Sequence, residues 1–189
     1  MNQKTSTITL KPNAKQMALV GLMAAVICIL GPISLAIPIS PVPISLGSMA
    51  VYFVVSVLGM KRGTISVIIY MLLGFAGLPV FSGFSGGAGK LFGPTGGYII
   101  GFLFMAFICG FFVDRFSDKV LFLFPGMLLG TACCYLFGTA WLSYQASLTF
   151  AQALAAGVIP FLPGDLVKLV LALSIGLQLR RRLQKAGLI

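Results

Sequence analysis

The chain has 189 residues, 59% of them hydrophobic and only 8% charged, with a mean hydropathy of +1.07. A soluble domain carries about 25% charged residues, so there is too little polar surface here for a water-soluble globule, and the composition points to one all-α, polytopic membrane domain over 1–189. The formal charge of +10 comes from cations at the ends of apolar runs, the position of topology signals. No basic stripe suits nucleic acid, and the runs are solidly apolar where β-barrel spans would alternate.

Residues up to Lys15 are polar and basic, and read as a frayed lead-in. The first span is expected at about 14–36, too long and without the cleavage pattern of a removable signal peptide. In it Ala14 and Ala18, and Gly21 and Ala25, stand four apart, a spacing that lets another helix approach closely, inside the bundle or outside it. Pro38, Pro41 and Pro43 then exclude helix, and this apolar loop is expected to fold back over something. A short second span (46–58), a basic link around Lys61 and Arg62, and a third span (64–78) follow. The stretch 79–94 is rich in glycine and irregular. A fourth span (95–113) leads into a short charged link containing Asp114, Arg115, Asp118 and Lys119. The fifth (120–143) carries Gly126, Gly130, Cys134 and Gly138 four apart, a stripe of small residues. A short surface helix is expected from Thr149, and the sixth span (164–179) ends in Arg180, Arg181, Arg182 and Lys185.

Six spans put both termini on one side. On that basis eleven of the thirteen cations fall on the side of the termini, leaving Lys90 in an opposite loop and Lys168 inside a span. The positive-inside rule places both termini in the cytoplasm and the loops 37–45, 79–94 and 144–163 outside.

The chemistry concentrates at Pro160-Phe161-Leu162-Pro163-Gly164-Asp165-Leu166-Val167-Lys168. Asp165 is the one acid of three that is embedded in apolar sequence. Such a residue costs roughly 2.5–3.5 kcal/mol at a bilayer centre and is a functional-site candidate. Lys168, three residues on, shares its helix face. Two structural alternatives stand beside this: Asp165 as a helix cap, and Lys168 snorkelling to the surface. With no histidine and no glutamate, His-based triads, His-ligated zinc and paired carboxylates are excluded. Phe84 and Leu91 break a Walker motif around Gly89-Lys90, and Phe92 breaks GxGxxG. The four cysteines lie in apolar runs without metal-ligand spacing and read as packing residues. An enzyme is therefore not expected, and neither a cofactor nor a metal. A binding protein uses more of the sequence. Amides of Gly93, Gly96 and Gly97 can approach a ligand, Tyr98, Phe53, Phe81, Phe84, Phe92 and Tyr144 can line an apolar cavity, and Asp165 and Lys168 can accept and donate hydrogen bonds.

At these residues the sequence resembles the BioY family, the biotin-specific substrate-binding (S) components of energy-coupling factor (ECF) transporters. The resemblance rests on the proline loop up to Ser45, on Gly74-Phe-Ala-Gly-Leu-Pro-Val-Phe81, Gly86-Gly-Ala-Gly89 and Gly93-Pro-Thr-Gly-Gly-Tyr98, and on Phe161-Leu-Pro-Gly-Asp165 with Lys168. It implies a six-helix bundle in a bacterial plasma membrane that captures biotin from outside and works with a transmembrane coupling subunit and two ATP-binding-cassette ATPases. It implies Asp165 and Lys168 as ligand contacts, with Ser45, Gly87, Gly93, Gly97 and Tyr98 as further candidates from the motifs that carry it, and Phe92 joins them as an aromatic able to line the cavity. Ala14 and Ala18 match the family's docking motif, from which Leu22 would depart, and Lys90 receives no role. An ion- or proton-coupled secondary transporter using Asp165 is the alternative, although no inverted repeat is evident; a small channel ranks third.

Overall fold

The computed structural model describes residues 14–38, 40–116 and 120–189. Ile39, Asp118, Lys119, Lys4 and Lys11, which entered the loop and charge arguments, lie outside the described residues. Helix α1 spans Ala14–Leu30. It stops six residues short of the expected end because Gly31 precedes Pro32, and a residue before proline is pushed out of the helical region. Strand β1, Ser34–Leu35, and strand β2, Ile44–Ser45, pair antiparallel, Ser34 opposite Ser45. The proline loop is thus the tip of a small ribbon, an addition to the all-α expectation.

The second and third expected spans are one element, α2, Gly47–Phe75, broken only at Gly59 (φ +76°, ψ −167°). This is a reversal and not a bend: a Cβ on Gly63 would lie 3.1 Å from Val55 Cα, whereas residues eight apart in a straight helix stand about 12 Å apart along the axis. The two legs lie against each other, and the basic link is a single glycine turn followed directly by helical Met60, Lys61 and Arg62. A four-residue helix α3, Ala88–Leu91, interrupts the glycine-rich stretch. Helix α4, Gly96–Phe116, runs beyond its expected end, so Asp114 and Arg115 are helical. Helix α5, Val120–Gln145, tolerates Pro125 in its second turn, where one ladder bond is lost. Helix α6, Phe150–Gly157, starts at Thr149 with a full capping box to Gln152. Helix α7, Leu162–Lys185, absorbs the basic tail.

The small-residue stripe of α5 packs along α4. Added Cβ atoms at Gly126, Gly130 and Gly138 would collide with Phe112, Cys109 and Tyr98, and Cys134 in turn fills the space beside Gly101. Small residues let these two antiparallel backbones close up. The main core holds Ile27, Tyr52, Tyr70, Phe81, Met105, Met127 and Leu169. A second cluster seats Val42 of the proline loop against Tyr98, Leu142, Ala153 and Phe161, so the loop does fold back onto the helix ends. Gly96–Phe116, Leu121–Gln145 and Leu162–Lys185 are long and apolar enough to cross a membrane, as is Gly47–Phe75 by total length, its two legs counted together through the Gly59 reversal, with Ala14–Leu30 a shorter apolar helix. Their outer faces expose Phe107, Phe111, Leu129, Leu136, Val170 and Ile175, as expected of lipid-facing surface.

Candidate functional site

The starts of α2, α4 and α7 meet the middle of α5 toward one end of the bundle. Pro163 falls in the first turn of α7, where its missing N–H costs nothing. Asp165, also in that first turn, lies where the helix dipole favours a carboxylate. It is not the cap: the N-cap is Phe161, and no side chain caps the helix. Its carboxylate points across the bundle instead, and the residue is 8% exposed. Lys168 Nζ lies 2.8 Å from Oδ1, Ser48 Oγ of α2 donates to the same oxygen at 3.2 Å, and Tyr135 OH of α5 donates to Oδ2 at 2.6 Å. Lys168 also donates to Ser45 O of β2 at 2.7 Å. It does not snorkel to solvent, its side chain being 11% exposed. An ionised carboxylate offers about four acceptor sites and an ammonium three donors. Three and two of these are used, so each member of the pair keeps a position open for a ligand.

The pair lies in the wall of a cleft with about 470 Å³ of atom-free space, mouth included. Val42, Pro43, Tyr52, Tyr98, Phe102, Met105 and Phe161 give it apolar walls, and Ser45, Ser48, Thr131 and Tyr135 add polar points. Two of these side chains are fixed by their own bonds. Tyr52 OH meets Thr131 Oγ1 at 2.6 Å, and Tyr98 OH donates to Gly157 O at 3.0 Å. A second cleft shares Val42, Pro43, Ser45, Tyr98 and Phe102 with the first and adds Tyr70, Ser82 and Thr95. There Thr95 Oγ1 is buried without a hydrogen-bond partner.

Of the residues singled out in the sequence, Ser45, Tyr98, Asp165 and Lys168 come together in this cleft. Gly87, Phe92, Gly93 and Gly97 do not line it. Gly87 sits at φ +86° before α3, and Phe92 is 65% exposed. The carbonyl of Gly93 accepts from Trp141 Nε1 at 2.9 Å, and Gly97 presses against Trp141. The other proposed aromatic walls also lie elsewhere: Phe81 is core against Tyr70, Phe53 packs at the core's edge, and Phe84 and Tyr144 are exposed. Lys90 in α3 is half-buried, and desolvation holds its amine below the usual lysine range. Sequence reasoning missed Ser48, Tyr52, Thr131 and Tyr135. The available signal was a hydroxyl inside each apolar run, which must find a partner there.

The BioY family profile matches residues 1–185. The chain belongs to the BioY family. Among its BioY relatives, "Biotin transporter BioY2" of Lactococcus lactis subsp. cremoris is 36% identical over 88% of this chain and 91% of its own length. "Biotin transporter BioY" of Thermotoga maritima is 38% identical over 88% of this chain and 96% of its own length. A crystal structure at 2.1 Å of the S-component for biotin from an ECF-type ABC transporter superposes with a TM-score of 0.82 at 35% identity, covering 88% of this chain and 91% of that one. The chain therefore has the fold of that S-component and, with its long apolar helices, is a multi-pass membrane protein of a transporter family, not of an enzyme family.

Proposed function

We propose that this chain binds biotin and mediates its uptake as the substrate-specific S component of an ECF transporter. The observation that carries the reading is the Asp165–Lys168 pair, held by Ser45, Ser48 and Tyr135 in a cleft with apolar walls. Biotin combines a ureido ring, with two N–H donors and a carbonyl, with an apolar ring and chain and a carboxylate. The open acceptor position of Asp165 suits a ureido N–H, and the open donor of Lys168 suits the ureido carbonyl or the carboxylate. Thr95, unpartnered in the adjoining cleft, supplies a further polar point. Ser45 and Tyr98 contribute at the cleft itself, and the loop residues Gly87, Phe92, Gly93 and Gly97 would have to act through movement of the 79–94 segment.

The architecture supports six crossings, counting the two legs of α2 separately, with both termini in the cytoplasm of a bacterial cell and the cleft facing outward. Energy would come from two ATPase partners through a transmembrane coupling subunit. Ala14 and Ala18 are exposed on α1, which leaves their stripe available for that subunit. The test is biotin uptake in cells that cannot make biotin, with and without the partner ATPases. Uptake that vanishes without them supports the reading; uptake that persists and follows a proton gradient overturns it in favour of a secondary transporter using Asp165.

A further inference from the structure

At the end of the bundle opposite Asp165, about 22 Å along α7 at 1.5 Å per residue, lies a cleft that the transport reading does not use. Lys61 and Arg62 follow the Gly59 turn, Asp114 stands in the last turns of α4, and Arg180 comes from α7. They enclose about 680 Å³ of atom-free space, mouth included, and Leu58, Met60 and Ile189 supply an apolar wall. The floor is built. Asp114 packs on Gly59, where an added Cβ would lie 2.0 Å from Oδ1. Its Oδ2 accepts Met60 N–H at 2.9 Å, and its Oδ1 accepts Arg180 Nη2 at 2.8 Å. Arg180 Nη1 donates to Val57 O at 3.3 Å. The Arg180 Nε donor is buried with no acceptor.

The charges do not balance. Asp114 is taken by Arg180, so Lys61 and Arg62 face the cleft without a carboxylate of their own among the described residues. The ligand this arrangement asks for is an anion with several oxygens, able to accept from a guanidinium and from two rim cations together, as phosphate does. The surroundings say where that phosphate is attached. Lys61 begins a helix face that continues through Ile65, Ile68 and Leu72, at i+4, i+7 and i+11, and all three are exposed (47%, 39% and 61%). A headgroup in the cleft would therefore have its acyl chains on an apolar stripe directly above it.

We propose that this cleft is a binding site for an anionic phospholipid, with the headgroup phosphate between Arg180, Lys61 and Arg62 and an acyl chain along Ile65, Ile68 and Leu72. The site is independent of the identity of the transported ligand.

The test uses the purified full-length chain in detergent, with phosphatidylglycerol and phosphatidylcholine of identical acyl chains as probes, read by native mass spectrometry. Because Arg180 also holds the fold, the variant is Lys61→Gln/Arg62→Gln, and Arg181→Gln/Arg182→Gln, an equal loss of charge on the exposed side of α7, is the control. At about fivefold per cation near a membrane surface, the cleft variant should retain phosphatidylglycerol roughly 10- to 30-fold less than wild type. The control should lose less than about threefold, and biotin binding should be unchanged in both. Equal retention of the two lipids by wild type, or equal losses in the two double variants, overturns the site. Inorganic phosphate that stabilises the wild type while the lipids show no preference overturns the lipid assignment.

Discussion

Asp165→Asn keeps the volume of the side chain and removes its charge. The structure says how the amide would settle. Oδ1 serves two donors, Ser48 and Lys168, and Oδ2 serves Tyr135 alone. The less costly orientation places the new nitrogen at Oδ2, where the Tyr135 hydroxyl can turn to accept from it, and leaves Ser48 and Lys168 bonded to the remaining oxygen. Local geometry should survive, so the change falls on the ligand. Its N–H would now meet a neutral acceptor or a competing donor, and Lys168 would lose its counter-ion. A hydrogen bond to a charged group is worth about 1.5–3 kcal/mol, which corresponds to roughly 10- to 100-fold weaker binding. The assay is calorimetric titration of biotin into purified Asp165→Asn, with thermal unfolding as the check on the fold. Wild-type affinity in a folded variant would refute the assignment of Asp165 as a ligand contact.

Four further outcomes follow. Lys168→Met leaves Asp165 buried without its cation, and breaking a buried pair from one side costs about 3–5 kcal/mol; thermal unfolding should shift down and biotin affinity should fall, and an unchanged midpoint would contradict the pairing seen at 2.8 Å. Tyr135→Phe removes one bond to the carboxylate and touches no proposed ligand atom, so biotin affinity should fall by less than in Asp165→Asn, with the order of the two measured by the same titration. Ala14→Trp and Ala18→Trp should block co-purification of the coupling subunit while isolated variants still bind biotin; normal co-purification would move the docking face elsewhere. Reporter fusions should place both termini in the cytoplasm, and cysteine labels within 79–94 should react from outside; an external C-terminus would contradict the topology.

The elements that composition and periodicity govern were legible. Helix occupies much of each expected stretch, although the first gives way to β1 near its end, a short helix does start after Thr149, and Asp165 and Lys168 meet because three residues on a helix share a face. What was not legible depends on contacts distant in sequence or on single backbone angles. Ser48 and Tyr135 reach Asp165 from 117 and 30 residues away, and nothing local marks them beyond a hydroxyl in an apolar run. The reversal between the second and third spans was expected, but its reduction to one positive φ at Gly59, with Lys61 and Arg62 already helical, is not disclosed by spacing. Arg180 read as the start of a charged tail, yet its partner Asp114 makes it part of the fold. Gly87, Gly93 and Gly97 were chosen by motif and Phe92 as an aromatic near them, and neither criterion carries information on which face of a loop meets the cleft.

The central claim is that this chain by itself forms a biotin site at the Asp165–Lys168 cleft. Equilibrium binding of labelled biotin to the purified, folded chain, without partner subunits, tests it most directly. The account predicts saturable binding at one site per chain, displaced by unlabelled biotin; a folded chain that retains no labelled biotin would contradict it.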